Sequence, residues 1–178
     1  DRPFHFGNRL REIVDRPDVE IPLYFSGASA PLLTPASLHE LCRRLLASAG
    51  GARPGTVVAN NLWSADFFGF TPKSALGRID LPGAHDNSVP GLLSRQAGLT
   101  ADILEPSIGT IFDLDTPADL TALRLHVGCR PHARAYLDAC DLPMARFEAA
   151  MPYLVSNKAQ LALIGRVNAT VWRPGYRS

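Results

Sequence analysis

The chain has 178 residues and a mass of 19.3 kDa, with 46% hydrophobic and 20% charged residues, an ordinary globular composition. Its 18 basic and 17 acidic side chains leave a net charge of +1, so neither a basic footprint for nucleic acid nor an acidic tail is present. No apolar run nears the roughly 18 residues that a membrane helix requires, and no signal-peptide pattern opens the sequence. Three cysteines, Cys42, Cys129 and Cys140, show neither CxxC nor zinc spacing, which predicts a reducing, cytoplasmic setting.

In chain order, residues 8–14 are expected to form a short helix that stops before Pro17. Residues 20–26, EIPLYFS, are a run of strand formers limited by Pro22 and Gly27. Thr34 then precedes Pro35 at a first helical position. Leu38, Leu41, Leu45 and Leu46 recur on one face of a helix over 35–49, closed by Gly50 and Gly51. Cys42 lies among these leucines and reads as a buried structural thiol. Residues 56–59, TVVA, are a second buried strand. Residues 20–59 thus form a strand–helix–strand unit, expected to be parallel and right-handed.

Residues 60–84 are less regular. Asn60, Asn61, Trp63, Asp66, Phe67, Phe68 and Phe70 crowd together in a cluster expected to pack as core or lid. Beyond them a polar turn is expected over 85–88, a helix over 92–97, and short strands over 101–104 and 110–113. Helices are expected over 119–126, 131–139 and 143–154, and an apolar strand, LALIGRV, over 161–167. The expected organisation is an α/β domain over 1–127 and a helical and strand extension over 128–178.

Residues 109–124, GTIFDLDTPADLTALR, carry the most information. Thr110, Ile111 and Phe112 read as a buried strand, with Asp113 and Asp115 at or just past its carboxyl end. An extended chain aims both carboxylates to one side. Thr116 suits an N-cap, Pro117 the first helical position and Asp119 the reciprocal position of a capping box. Leu120, Leu123 and Val127 form the apolar stripe. A capped helix accounts for Thr116, Pro117 and Asp119, but not for two acidic residues closing a buried strand. Open α/β sheets place ligands and Mg²⁺ at such strand ends.

FDLDTPADL resembles the late motif of nucleotidyltransferases with a glycosyltransferase-A-like Rossmann fold. Molybdenum-cofactor cytidylyl- and guanylyltransferases and sugar-phosphate nucleotidyltransferases belong to this group. Their earlier motif is a strand followed by Gly-Asp-x-Pro-Leu-Leu and a helix. LYFSGASAPLLTPAS at residues 23–37 is similar to it through Pro31, Leu32, Leu33, Thr34 and Pro35. Together the matches cover roughly residues 20–127.

The resemblance implies a three-layer Rossmann-like α/β fold with a mostly parallel sheet flanked by helices. It also implies transfer of a nucleoside monophosphate from a triphosphate to a phosphorylated acceptor, with Mg²⁺ neutralising charge. Asp113 would carry the metal with support from Asp115. Ser29 stands where the family places its first metal-binding Asp and would line the site. Asn60 and Asn61, at the end of the second strand, are candidates to bind sugar or base, although a strand cap and a turn would use them equally. Lys73 and Arg78 are candidate phosphate contacts, or solvated surface cations. The expected ligand is a nucleotide or sugar phosphate, with neither nucleic acid nor membrane as partner, and a homo-oligomer is compatible with this reading.

The family's Gly-rich nucleotide loop is not in this sequence, because Gly7-Asn8-Arg9 lacks a preceding strand and repeated glycines. The expectation is therefore a fragment without its first βα units, or a member without catalysis. Two alternatives stand beside the transferase. IFDLDT is similar to the first motif of haloacid-dehalogenase-type phosphatases, but Pro117 occupies the position of their Thr. A non-catalytic binding or assembly domain would use the aromatic region 63–70 as its contact surface, if exposed.

Overall fold

A computed structural model of the chain describes residues 4–50, 54–81 and 88–162. The chain divides into two compact units, with the division between Leu114 and Asp115.

The first unit opens with α1 (Phe6–Val14), capped by the His5 ring, which accepts the Asn8 N–H at 3.2 Å. After β1 (Leu23–Phe25) and a 3-10 turn (Gly27–Ser29) comes α2 (Pro35–Ala49). Its bounds are those the leucine period predicts. Pro35 sits where no intrahelical N–H is needed, and the Thr34 hydroxyl accepts the Ser37 N–H at 3.1 Å. β2 (Thr56–Ala59) also matches its expected bounds. β3 (Phe67–Thr71), a 3-10 turn (Lys73–Arg78), α3 (Val89–Arg95), β4 (Thr100–Ile103) and α4 (Ile108–Ile111) complete the unit.

The sheet order is β1-β3-β2-β4. β3 runs antiparallel to both β1 and β2, while β2 and β4 are parallel. The sheet is therefore mixed, and the expectation of a mostly parallel sheet is corrected. β1 and β2 do point the same way, as the strand–helix–strand unit requires, but β3 lies between them. The cause is the short connection over 60–66, which suits an antiparallel return and is too short for a parallel crossover. Gly69 admits this packing: a Cβ there would lie 2.5 Å from Leu45 Cδ1 and 2.6 Å from Leu23 Cδ2.

Alternation along the strands builds a core on each face. Val58 and Phe67 pack with Leu41, Leu45 and Leu104 on the α2 side. Val57, Ala59, Phe68 and Phe70 pack with Leu10, Val14, Val89 and Leu93 on the other. Complete burial of each Val, Leu or Phe among them contributes about 1.5–3 kcal/mol. At the outer edge, β1 leaves Leu23 44% and Phe25 40% exposed.

Residues 108–111 form α4 rather than the start of a strand, so the strand expected over 110–113 is corrected. Ser107 and Thr110 explain the outcome. The Ser107 N–H donates to Thr110 Oγ1 at 2.8 Å, and the two hydroxyls lie 3.2 Å apart, a reciprocal cap that starts a helical turn.

The second unit holds α5 (Pro117–Leu125), α6 (Pro131–Asp138) and α7 (Met144–Leu154). The expected capping box is present: Asp119 Oδ2 accepts the Thr116 N–H at 2.7 Å, and Thr116 Oγ1 accepts the Asp119 N–H at 3.4 Å. Arg124 binds Asp138 at 2.9 Å, and Arg134 donates to the carbonyls of Arg124 and His126, both at 2.8 Å, tying α5 to α6. The strand expected over 161–167 and the turn over 85–88 extend outside the described residues. No helix among the described residues is long and apolar enough to cross a membrane.

Candidate functional site

Because β1, β2 and β4 share one direction, their carboxyl ends lie along one edge of the sheet, the usual ligand edge of α/β proteins. Three segments meet there. The loop after β1 carries Ser26 and Ser29, β2 ends on Asn60, and the segment after β4 carries Thr110 and Asp113.

Backbone and side-chain bonds fasten these segments together. The Ser26 N–H donates to the Asp66 carbonyl at 2.8 Å, and the Leu114 N–H donates to the Ser29 carbonyl at 3.1 Å. Asn60 Nδ2 donates to Asp66 Oδ2 at 2.9 Å and to the Thr110 carbonyl at 3.1 Å. Asn60 Oδ1 accepts the N–H groups of Asp66 and Phe67 at 3.1 and 3.3 Å. An amide has two donors and two acceptor sites, so Asn60 spends its full capacity holding the edge together. Gly109 lets α4 approach the loop after β1, since a Cβ there would lie 2.6 Å from the Leu32 carbonyl oxygen.

The structure thus brings onto one edge Ser29 and Asp113, which the two motifs nominate, and Asn60, expected there as the residue that ends the second strand. The hydroxyls of Ser29 and Ser26 are hydrogen-bonded to each other. Asp113 is half-buried, with one carboxylate oxygen sealed from solvent. Asn61 is exposed and forms a turn, its Oδ1 accepting the Trp63 N–H at 2.8 Å. Asp115 belongs to the second unit, is exposed, and donates its N–H to Asp119 Oδ2 at 3.1 Å. Without a strand over 110–113, the period-two argument for aiming Asp113 and Asp115 to one side no longer holds. The phosphatase motif loses its strand for the same reason.

Lys73 lies elsewhere. It follows Thr71, which pairs with Thr56 at the beginning of β2, so it sits at the opposite end of the sheet from Asn60. Its ammonium donates to the Arg16 carbonyl at 2.8 Å. The structure therefore does not bring Lys73 together with Asn60 and Ser29, because β3, which it follows, runs antiparallel to β2.

Asp66, which sequence alone groups with the aromatic cluster, is a half-buried member of the edge. Its signal is the antiparallel return, which sets the residue before Phe67 opposite the residue after Ala59. A second missed feature is an ion network beside the edge. Arg44 binds Glu40 at 2.7 Å and Asp102 at 2.6 Å, and Arg43 also binds Glu40 at 2.7 Å. Hydrogen bonds from Arg43 and then Arg44 hold the Glu40 carboxyl down at about 2. This network borders an open cavity of about 380 Å³ lined by Ser37, Glu40, Arg44, Glu105, Ser107 and Thr110.

Mg²⁺ takes oxygen ligands, commonly one or two carboxylates together with substrate phosphates. Asp113 suits the part of one carboxylate. Ser29, already bonded to Ser26, does not suit the part of a second. Among the described residues no group of three or more His, Cys, Asp or Glu is placed to hold a metal ion. Of the two motif-nominated residues on this edge, only Asp113 offers a carboxylate to such a cation. Neither protein-family models nor curated proteins give a match to this chain.

Proposed function

We propose that this chain is a nucleotidyltransferase-like domain with a three-layer Rossmann-like architecture, binding a nucleotide or sugar phosphate at the carboxyl edge of β1, β2 and β4. The observation that supports this reading is the Leu114–Ser29 bond of 3.1 Å. Two segments more than 80 residues apart in sequence, each nominated by the same resemblance, are joined at the edge where such ligands bind.

In this reading the reaction moves a nucleoside monophosphate from a triphosphate to a phosphorylated acceptor. Positioning dominates such chemistry. Asp113 orients the ligand and meets the cation that accompanies its phosphates. That cation supplies charge neutralisation when bound. Asn60 keeps the ends of β2, β3 and the α4 segment in register. Ser29 and Ser26 offer hydroxyls to a polar ligand. The pairing of Ser29 with Ser26, in place of an acidic residue, favours a second reading, binding without transfer.

The test is a thermal-shift panel of nucleoside triphosphates, nucleotide-sugars and sugar phosphates, each with and without Mg²⁺. A ligand at a hundredfold excess over Kd that binds only the native state adds about 2.7 kcal/mol. A Mg²⁺-dependent rise with a nucleotide, followed by pyrophosphate release on adding acceptor, is the transferase result. A rise without turnover is the binding-domain result. No rise with any probe overturns both.

A further inference from the structure

The aromatic cluster over 60–70 separates into two parts. Phe67, Phe68 and Phe70 are fully buried in β3, whereas Trp63 is 61% exposed. An exposed indole on a free loop would carry little meaning. This one is held. The Trp63 N–H donates to Asn61 Oδ1 at 2.8 Å, and the carbonyl of Leu62 accepts the Gly91 N–H at 3.0 Å. Gly91 allows that approach, since a Cβ there would lie 2.8 Å from the Leu62 carbonyl oxygen and 3.5 Å from the indole ring. The loop's two ends are closed by the bond of 2.9 Å from Asn60 to Asp66. Trp63 therefore stands near the apex of a loop whose base belongs to the ligand edge, at most about 11 Å of extended chain from Asn60.

A charge stands with the ring. The Arg95 guanidinium lies 4.4 Å from the Trp63 ring centroid, within cation–π range. Arg95 takes part in none of the ion pairs formed among the described residues. This matters because the edge itself carries the carboxylates of Asp66 and Asp113, and a phosphate beside them needs nearby positive charge. With Arg95 over one face of the ring, the remaining exposed surface of this fixed indole offers stacking to a heteroaromatic base, and the guanidinium offers a cation to a phosphate, the two chemical halves of a nucleotide.

We infer that Trp63 and Arg95 form a base- and phosphate-recognition platform that makes the ligand of this edge a nucleotide rather than a sugar phosphate alone. The inference rests on the proposed ligand edge and narrows its substrate class. Trp63 stacks on the base, Arg95 meets a phosphate oxygen, and Asp113 holds the opposite end of the ligand.

The experiment uses the chain with Trp172→Phe, which leaves Trp63 as its one tryptophan of two. ATP, CTP, GTP, UTP and ribose 5-phosphate are titrated while fluorescence is read, with thermal shift as an independent measure of binding. The expected result is saturable quenching by at least one triphosphate and none by ribose 5-phosphate. Trp63→Ala weakens that triphosphate about tenfold, as loss of one stacked base does, and Trp63→Phe restores most of it. Arg95→Gln weakens the triphosphate more than the matching nucleoside. A triphosphate that binds by thermal shift with unchanged affinity for Trp63→Ala overturns the platform and leaves the ligand edge standing. Equal dependence of ribose 5-phosphate on Trp63 also overturns it. Failure of every probe to bind overturns the platform and the ligand edge together.

Discussion

The Leu114 N–H donates to the Ser29 carbonyl at 3.1 Å, and this one bond joins the loop after β1 to the segment after α4. Gly109 makes the approach possible. Its substitution by Ala places a Cβ 2.6 Å from the Leu32 carbonyl oxygen, a backbone atom that cannot swing aside. Gly109→Ala is expected to cost about 1–3 kcal/mol in chemical denaturation. It should also weaken ligand binding, because the two halves of the edge must separate. Unchanged stability would show that they are not in close contact.

Asn60 and Asn61 are neighbours with different duties. Asn60→Ala removes four part-buried hydrogen bonds, two donated to the Asp66 carboxylate and the Thr110 carbonyl and two accepted from the N–H groups of Asp66 and Phe67. The expected loss is about 2–4 kcal/mol, on the scale of several part-buried hydrogen bonds at about 0.5–1.5 kcal/mol each. Asn61→Ala removes only the exposed turn bonds accepted from the N–H groups of Trp63 and Ser64 and should cost about 1 kcal/mol or less. Equal losses, measured by urea denaturation, would contradict the division.

The Glu40 network sets a pH dependence. Arg43, then Arg44, hold the Glu40 carboxyl at about 2, below its ordinary 4.5. A lowered folded-state value means that the unfolded chain takes up the proton first. The stabilisation is therefore complete above about pH 4.5 and is lost as pH falls toward 2. The Tm difference between the native chain and Glu40→Gln should be largest above pH 5 and shrink steadily on acidification. A difference that grows toward pH 3 would contradict the network.

Lys73 provides a control for the position of the site. It lies at the opposite end of the sheet from Asn60, bonded to the Arg16 carbonyl. Lys73→Ala should leave ligand affinity within about twofold, since a surface change remote from a site is close to neutral. A tenfold loss, measured by titration, would place the ligand on the wrong edge.

The elements that the sequence disclosed are those governed by local rules. α2 has a cap, a proline and a four-leucine stripe, and its bounds follow from them. The Thr116–Asp119 box is likewise visible from spacing alone. β3 was harder to see because all five of its residues are buried, which leaves no alternation to mark a strand, and Gly69 interrupts its aromatic run. The strand expected over 110–113 had the right composition but lost to a Ser107–Thr110 cap that nucleates a helical turn. At the ligand edge, Ser29 and Asp113 were nominated through motifs, yet their joining is a contact between distant segments. Asp66 and the Arg44–Asp102 pair depend on strand order, which a single inserted antiparallel strand changes.

The most direct measurement is calorimetric titration of the best-binding nucleotide from the panel into the native chain and into Asp113→Ala, with melting curves to verify that both are folded. Binding at the carboxyl edge of β1, β2 and β4 requires the variant to lose at least about tenfold in affinity, the scale of one charge-assisted contact. Equal affinity of the two folded proteins would contradict the assignment of the ligand to that edge.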